Sequence, residues 1–434
     1  MEGILFPHGI VEGREGLKEY RVRGGYEALS KAIRTPPEVV VKVVSDAGLR
    51  GRGGAGFPTG KKWQFTREAT GGESRYLILN GGEDEPGSKK DRVLLENLPH
   101  LVIEGTVLAA YAIGAAKAYL YINANYGAAI KTITDALTEA KAAGYWGENI
   151  LGSAFALDIE IVPAPHNYVA GEDTAVLEVI EGRKAWPRQK PPFPVTVGLY
   201  GKPTSVNNVE TLANVAPIVL NGAEWYRKFG TAESAGTMIF SLDDDLKRPG
   251  VYELPFGTPL RYLIEECGGG MKSGEKIKAI MPAAPSSAYL PPEKIDTPLD
   301  HNSMRDAGSA LGCGVIRLVA EGSCIVEEVI KISEFFTVES CGQCPACRME
   351  TNTLTSLLRK VQAGQGGPPI LEQFGKVLAF NKGKGFCNLI AMPGPPIESA
   401  LKLFPDDFEA HLSTGKCPVK LAPHQIRKDI ADYR

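Results

Sequence analysis

Nothing in this 434-residue sequence is apolar for long enough to cross a bilayer. The best candidate, residues 101–116, is interrupted by Glu104 and reads as a buried helix. The start carries Glu2 and Pro7 without a basic-then-apolar stretch, so no secretory leader is expected. An excess of one charge is missing too. The 48 basic and 51 acidic residues leave a net charge of −3, which argues against a nucleic-acid surface. Eight cysteines in a chain this long do not make a disulfide scaffold, and a reducing cytoplasmic setting fits them better. There is no Ser/His/Asp set, no zinc-protease pattern, no internal repeat and no low-complexity segment. What remains is an ordinary globular composition, 43% apolar and 23% charged, with length for two to four domains.

The cysteines that are present say most. Cys341, Cys344 and Cys347 follow a Cys-x2-Cys-x2-Cys spacing, and Cys387 comes later within Lys-Gly-Phe-Cys-Asn. Four thiolates are the usual complement of an iron–sulfur cluster. Zinc also takes four, but commonly from two separated Cys-x2-4-Cys pairs. A tight triplet with one distant ligand suits a 4Fe-4S core better, with zinc as the alternative. Cys267, Cys313, Cys324 and Cys417 sit singly and read as buried small hydrophobes, Cys417 least securely because Lys416 and Pro418 suggest a surface tail.

The pattern along the chain is that of an α/β protein. Residues 37–48 read as a helix opened by Pro37 and stopped by Gly48. Strands are expected at 76–80, at 118–123 and over the alternation from Phe155 to Ile161. Helices lie between them, at 101–116 and along Ile130, Ile133 and Leu137. Strand–helix–strand order implies a mostly parallel, Rossmann-like sheet whose ligand crevice is lined by the loops after Asn80 and Val162. A different texture begins at Gly236, with short strands at 238–242, 251–254, 277–281 and 315–319 around a helix at 259–267. This reads as a small α+β module. The rest is helical, including the amphipathic stripe Leu354, Leu357, Leu358 and Val361.

Three loops carry candidate chemistry. Residues 50–63 contain G-x-G-x-x-G at Gly51, Gly53 and Gly56, but a helix precedes it and Pro58 follows, unlike a plain dinucleotide fingerprint. The glycines would still expose backbone N–H groups to a phosphate or flat ring, with Arg50, Arg52, Lys61 and Lys62 as opposing charge. Phe57, Trp63 and Phe65 would be costly to leave in water. Glu83, Asp84 and Glu85 would repel a phosphate but could accept hydrogen bonds from ribose hydroxyls; a solvated loop balanced by Lys89, Lys90 and Arg92 is the plainer alternative. Glu172 and Asp173 open a helix, where helix capping and ligand contact are equally reasonable. The stiff loop around Phe193 and the amides of Asn207 and Asn208 add further candidates, and His166 is the one histidine beside an acidic loop.

Taken in order, residues 51–63, 80–92, 168–175, 190–194, 202–214 and the run Glu-Ser-Cys-Gly-Gln-Cys-Pro-Ala-Cys-Arg with Cys387 resemble one family over nearly the whole chain. It is the flavin- and NADH-binding subunit of respiratory complex I, with its counterparts in soluble NAD-linked hydrogenases and formate dehydrogenases. The resemblance implies FMN at Gly51, Gly53, Lys62, Asn80, Tyr168, Gly171, Glu172, Asn207 and Asn208. It implies NAD(H) at Phe57, Phe65, Glu85, Asp173 and Phe193, and a 4Fe-4S cluster on Cys341, Cys344, Cys347 and Cys387. It further implies hydride transfer from NADH to FMN without a protein nucleophile or base, the electrons leaving singly through the cluster. The implied organisation is an N-terminal glycine-loop segment (1–70), an FMN/NADH domain (71–235), a ubiquitin-like β-grasp insert (236–322) and a helical cluster domain (323–434). A small thioredoxin-like 2Fe-2S subunit and a larger multi-cluster subunit are the implied partners. The implied location is cytoplasmic, at the inner membrane face where partner subunits hold it there, without direct insertion.

Three positions depart from the family pattern. Gly82 stands where an acid is common, Asp173 where glutamate is usual, and Pro-Ala-Ala-Pro-Ser-Ser from Pro282 replaces Pro-Gly-Gly-Ser-Ser. The shorter Asp173 predicts a relaxed preference between NADH and NADPH. The changes also leave room for a rival reading: a non-enzymatic electron-transfer scaffold that keeps the cluster but lacks productive nucleotide binding.

Overall fold

Four parallel strands organise the first half of the chain: β1 (Tyr76–Gly81), β2 (Lys117–Asn123), β3 (Asp158–Ala164) and β4 (Thr204–Asn208). The computed structural model describes residues 3–7, 9–10, 13–70, 74–417 and 419. The strands lie in the order β3-β2-β1-β4. The chain therefore steps outward from β1 to β3 and then returns to the other side of β1, which makes the β1/β4 boundary the switch point of the sheet. There the register pairs Leu79 with Asn207 and Asn80 with Asn208, so both asparagine-bearing ends leave the sheet at one level.

Alternation along β1 and β2 sends residues to two apolar layers. Leu77, Leu79, Leu120 and Ile122 join the larger core with Val102, Val107 and Leu108 of the helix Pro99–Ile113. Ile78, Tyr119 and Tyr121 face the other way, against Val176 and Leu177 of the helix Asp173–Ile180. The helix expected at 101–116 thus ends at Ile113 with Gly114 as its left-handed cap. Glu104, which breaks that apolar run, is buried and accepts from the backbone N–H groups of Tyr26 and Leu29 at 2.8 and 2.9 Å.

One strand expectation needs correction, and one strand was not expected at all. The alternation from Phe155 begins before the ladder does, because Leu157 only bridges Gly147 and β3 pairs from Asp158 onward. β3 is the outer strand, and it carries Pro163 opposite Ile122. A proline is tolerated there because the outer side of an edge strand needs no ladder hydrogen bond. β4, Thr-Ser-Val-Asn-Asn, is a five-residue, mostly polar strand that periodicity does not reveal.

Contacts group the chain into two compact units: Met1–Ala185, Lys190–Ser241 and Val251–Thr258 in one, Trp186–Gln189, Leu242–Gly250 and Pro259–Arg434 in the other. All but one residue of β5 (Thr237–Leu242) and of β6 (Gly250–Pro255) falls in the first, where the two are neighbours in a sheet. In the second, β7 (Ile277–Met281) pairs antiparallel with β8 (Val315–Ala320). The helix expected at 259–267 is π-helical over Tyr262–Cys267. The helices Ile325–Glu339, Pro345–Gln362, Pro369–Asn381, Gly394–Leu403 and Pro405–Thr414 follow. The predicted stripe Leu354, Leu357, Leu358 and Val361 is the buried face of Pro345–Gln362.

No single helix among the described residues is long and apolar enough to cross a membrane. The helices Lys90–Asn97 and Pro99–Ile113 pass that test only as a pair bent by 101°, and the second is almost wholly buried in the core.

Candidate functional site

The glycine-rich loop is closed on itself. Arg50 bridges Pro58, and the Gly51 N–H donates to Phe57 O at 2.9 Å. Gly54 and Gly56 take positive φ, 106° and 62°, which suits residues without Cβ. Gly60 serves packing: a Cβ there would lie 2.6 Å from Ser45 Cα, so the helix Thr59–Glu68 sits directly on the helix Pro37–Asp46. Arg52 is not part of an anion cradle. Its guanidinium is buried, donating to Arg50 O at 2.7 Å, Thr237 O at 2.9 Å and Tyr226 OH at 3.1 Å, and lies 4.6 Å from the Phe256 ring centre. It holds the loop from beneath.

The aromatic residues of this loop divide into two kinds. Trp63 is buried and donates through Nε1 to Asn207 Oδ1 at 3.1 Å. Phe57 and Phe65 stay 43% and 41% exposed, and Phe193 is 55% exposed. Half-buried Lys62 donates to Val206 O at 3.0 Å. Burial pushes its pKa below the ordinary lysine value, against the pull of Asp173.

The loop after β1 is anchored by its acids more than it displays them. Glu83 is buried and accepts from Ser88 Oγ at 2.5 Å and from the N–H groups of Asp91 and Arg92, each at 3.1 Å. It therefore caps the helix Lys90–Asn97. Asp84 gathers the neighbouring strand ends, accepting from Asn123 Nδ2 at 2.9 Å and Asn167 N–H at 3.2 Å, and lying 2.7 Å from His166 Nδ1. Glu85 accepts from Tyr168 OH at 2.8 Å. Lys90 does not balance a solvated loop. It is buried against Asp91, Glu210 and Asn208 at 2.8, 3.1 and 3.1 Å. Burial disfavours its charge, but Asp91, Glu210 and Glu83 outweigh that and raise its pKa. Asn208 also caps the helix Val209–Ala213 and donates to Asp91 Oδ2 at 2.6 Å.

The loop after β3 meets the loop after β1 backbone to backbone. Asn80 Nδ2 donates to Gly171 O at 2.9 Å, and a Cβ on Gly171 would come 2.9 Å from Gly82 O. At Gly82 a Cβ would press to 2.9 Å on the ring of buried Tyr121. An acid at this position would require that ring to shift. Glu172 settles the capping question for its own helix, accepting from Thr174 N–H and Ala175 N–H at 2.9 Å each. Lys190 then bridges the acid pair, 2.6 Å from Glu172 and 2.5 Å from Asp173. Burial, with Asp173 beside it, raises the pKa of Glu172. That of Asp173 falls despite burial, because Glu172 and Lys190 favour its charge.

In the second unit Cys341 and Cys344 lie close enough to Cys347 to act on its thiol. Cys341 follows the helix Ile325–Glu339, Cys344 caps the helix Pro345–Gln362, and Cys347 lies in that helix's first turn. The loop bearing Cys387 reaches them, since Phe386 N–H donates to Cys344 Sγ at 3.3 Å. Ser340 Oγ lies 3.4 Å from Cys347 Sγ. Burial raises the pKa of Cys347, and Cys344 and Cys341 add to the shift. This donor set, four thiols with a hydroxyl and an N–H aimed at sulfur, fits an iron–sulfur core.

Comparison with known proteins agrees with this geometry. Residues 44–217 match the Nuo51 FMN-binding domain, 327–411 the NADH-ubiquinone oxidoreductase-F iron-sulfur binding region and 245–279 the SLBB domain. An NADH-quinone oxidoreductase F subunit (number 2) of Rhizobium meliloti (strain 1021) is 42% identical, over 96% of this chain and 99% of its own. The chain belongs to the family of NADH-quinone oxidoreductase F subunits. The Escherichia coli (strain K12) F subunit is 41% identical over 91% of this chain and 89% of its own. The same fold is also seen in an NAD+-reducing [NiFe]-hydrogenase in the H2-reduced state: 34% identity, TM-score 0.81, covering 92% of this chain and 68% of that one. As one of the F subunits, the chain is an FMN-bearing NADH oxidoreductase that passes electrons through an iron–sulfur cluster within a multi-subunit assembly. The scaffold reading is set aside.

Three residues lie outside everything the sequence reading singled out as a site: Cys324, His411 and Cys417, whose donor atoms come within 4.8 Å of one another.

Proposed function

We propose that FMN is held where the closed glycine loop faces the C-terminal ends of β1, β3 and β4. Gly51 and Gly53 offer backbone, Lys62 offers charge, and Asn80, Tyr168, Gly171, Glu172, Asn207 and Asn208 form the remaining wall. The single observation that carries this is the joining of separate strand ends, Asn80 to Gly171 and Tyr168 to Glu85. When bound, FMN accepts a hydride and releases electrons one at a time, chemistry that no side chain here supplies. The chain's own part is to bind and orient. Exposed Phe57, Phe65 and Phe193 stack on the adenine, and Glu85 and Asp173 accept from the ribose hydroxyls. Cys341, Cys344, Cys347 and Cys387 hold the 4Fe-4S cluster.

The partners in this proposal are a small thioredoxin-like 2Fe-2S subunit and a larger multi-cluster subunit, and any membrane attachment runs through them. The working division is residues 1–70, 71–235, 236–322 and 323–434. Anaerobic titration of the FMN- and iron-reconstituted chain tests the site: NADH should bleach the flavin absorbance, and a Phe193→Ala variant should need more NADH to do so. No bleaching by NADH in wild type would refute it.

Lys190 also bears on nucleotide choice. By neutralising Asp173 and Glu172 it weakens the repulsion that an acid pair would exert on a ribose 2′-phosphate. NADPH should therefore reduce the flavin measurably. If saturating NADPH leaves it oxidised, the relaxed preference is abandoned.

A further inference from the structure

Cys324, His411 and Cys417 come from two helix ends and the segment that follows the second. Cys324 is the N-cap of the helix Ile325–Glu339, and His411 lies in the last turn of Pro405–Thr414. The chain then turns at Gly415 in left-handed geometry, φ 64°. Thr414 Oγ1 accepts from Lys416 N–H and lies 3.1 Å from Lys416 O, which fixes the turn that brings Cys417 back. Cys324 and His411 are almost wholly buried.

The imidazole is oriented as a ligand. Its Nδ1 lies 3.3 Å from the backbone carbonyl of Gln362, an acceptor only, so the proton belongs on Nδ1. The lone pair on Nε2 then points at Cys324 Sγ, 3.3 Å away. Metal-bound histidines are commonly fixed by such a hydrogen bond from the other nitrogen. With bonds of about 2.3 Å to sulfur and about 2.0 Å to nitrogen, tetrahedral zinc holds its donor atoms roughly 3.5–3.8 Å apart. The three atoms here all lie within 4.8 Å of one another, so small side-chain movements suffice. Two thiolates also balance a divalent charge, which keeps the burial of the ion inexpensive.

We propose that Cys324, His411 and Cys417 bind a zinc-class divalent ion distinct from the iron–sulfur cluster. One coordination position is left for water or a further ligand. The ion ties the helix Pro405–Thr414 and the segment after it to the start of the helix that leads into Cys341. It acts as a staple on the scaffold of the cluster and takes no part in the redox reaction.

Metal analysis of the untagged full-length holoprotein tests this. About one zinc per chain is expected in addition to the iron, surviving desalting. Zinc-edge X-ray absorption, which is blind to the iron, should show two sulfur ligands and a histidine nitrogen. Cys417→Ser and His411→Gln should each lose the zinc while keeping the iron content and visible cluster absorption. The proposal is overturned if wild type retains no zinc after one equivalent is supplied, if the zinc environment lacks sulfur, or if both variants keep the metal. A Cys324–Cys417 disulfide in anaerobically prepared protein would also overturn it. The absorption measurement needs only wild type, so misfolding of a variant leaves the test intact.

Discussion

At Glu83 burial and hydrogen bonding pull in opposite directions. Ser88, Asp91 and Arg92 all donate to the carboxyl, yet burial, with Asp91 beside it, pushes its pKa up to about 7. A raised carboxyl pKa means that folding favours the protonated form, so this contribution to stability is present in acid and lost as pH rises through 7. The Tm advantage of wild type over Glu83→Gln should therefore be largest near pH 5 and shrink towards pH 8, as followed by calorimetry. Lys190 gives a second test. Lys190→Met removes the cation that Glu172 and Asp173 share beside the proposed nucleotide site, and an added repulsion of about 1–2 kcal/mol corresponds to a roughly tenfold rise in the KM for NADH. Steady-state kinetics should show that rise with kcat little changed. Residue identity alone cannot separate such roles. Glu83, Asp84 and Glu85 are consecutive acids in the sequence, but only the strand ends around them decide that Glu83 caps, Asp84 ties loops together and Glu85 meets Tyr168.

Elements were legible where their pattern was apolar and regular. β1, β2, the helix Pro99–Ile113 and the buried stripe of Pro345–Gln362 follow directly from hydrophobic spacing. β4 was hidden because Thr204, Ser205, Asn207 and Asn208 carry no such signal, although it forms one wall of the switch point. The glycine loop was legible as a loop but not in its support. Arg52 looked like an exposed charge and is instead its buried keystone. Arg52→Met should strand the carbonyls and hydroxyl it serves and cost about 3 kcal/mol. A lowered Tm together with weaker FMN retention on gel filtration would confirm that the two are linked. An equal Tm with normal FMN content would remove Arg52 from that role.

Across the whole molecule, the four thiols proposed for the cluster stand out in the sequence because three lie within seven residues and the fourth within a short distinctive run. Cys324 and His411 stand 87 residues apart, and no spacing rule joins them. The division of labour predicts a separable defect. Cys387→Ser should lower the iron content and abolish electron delivery to one-electron partner proteins, while NADH still bleaches the bound FMN in a stopped-flow cell. Loss of both together would mean that the flavin site depends on the cluster region for its integrity.

The outer margin of the parallel sheet sets a condition on assembly. Pro163 lies on β3, whose Asp158 and Glu160 pair at 3.2 and 2.7 Å with Lys117 of the neighbouring β2. A rim interrupted by an imino acid and lined with ionic groups is a poor template for a foreign strand. Companion proteins would then recognise this border through shape and charge rather than by extending its ladder, which also guards a copy awaiting its companions from fusing rim to rim.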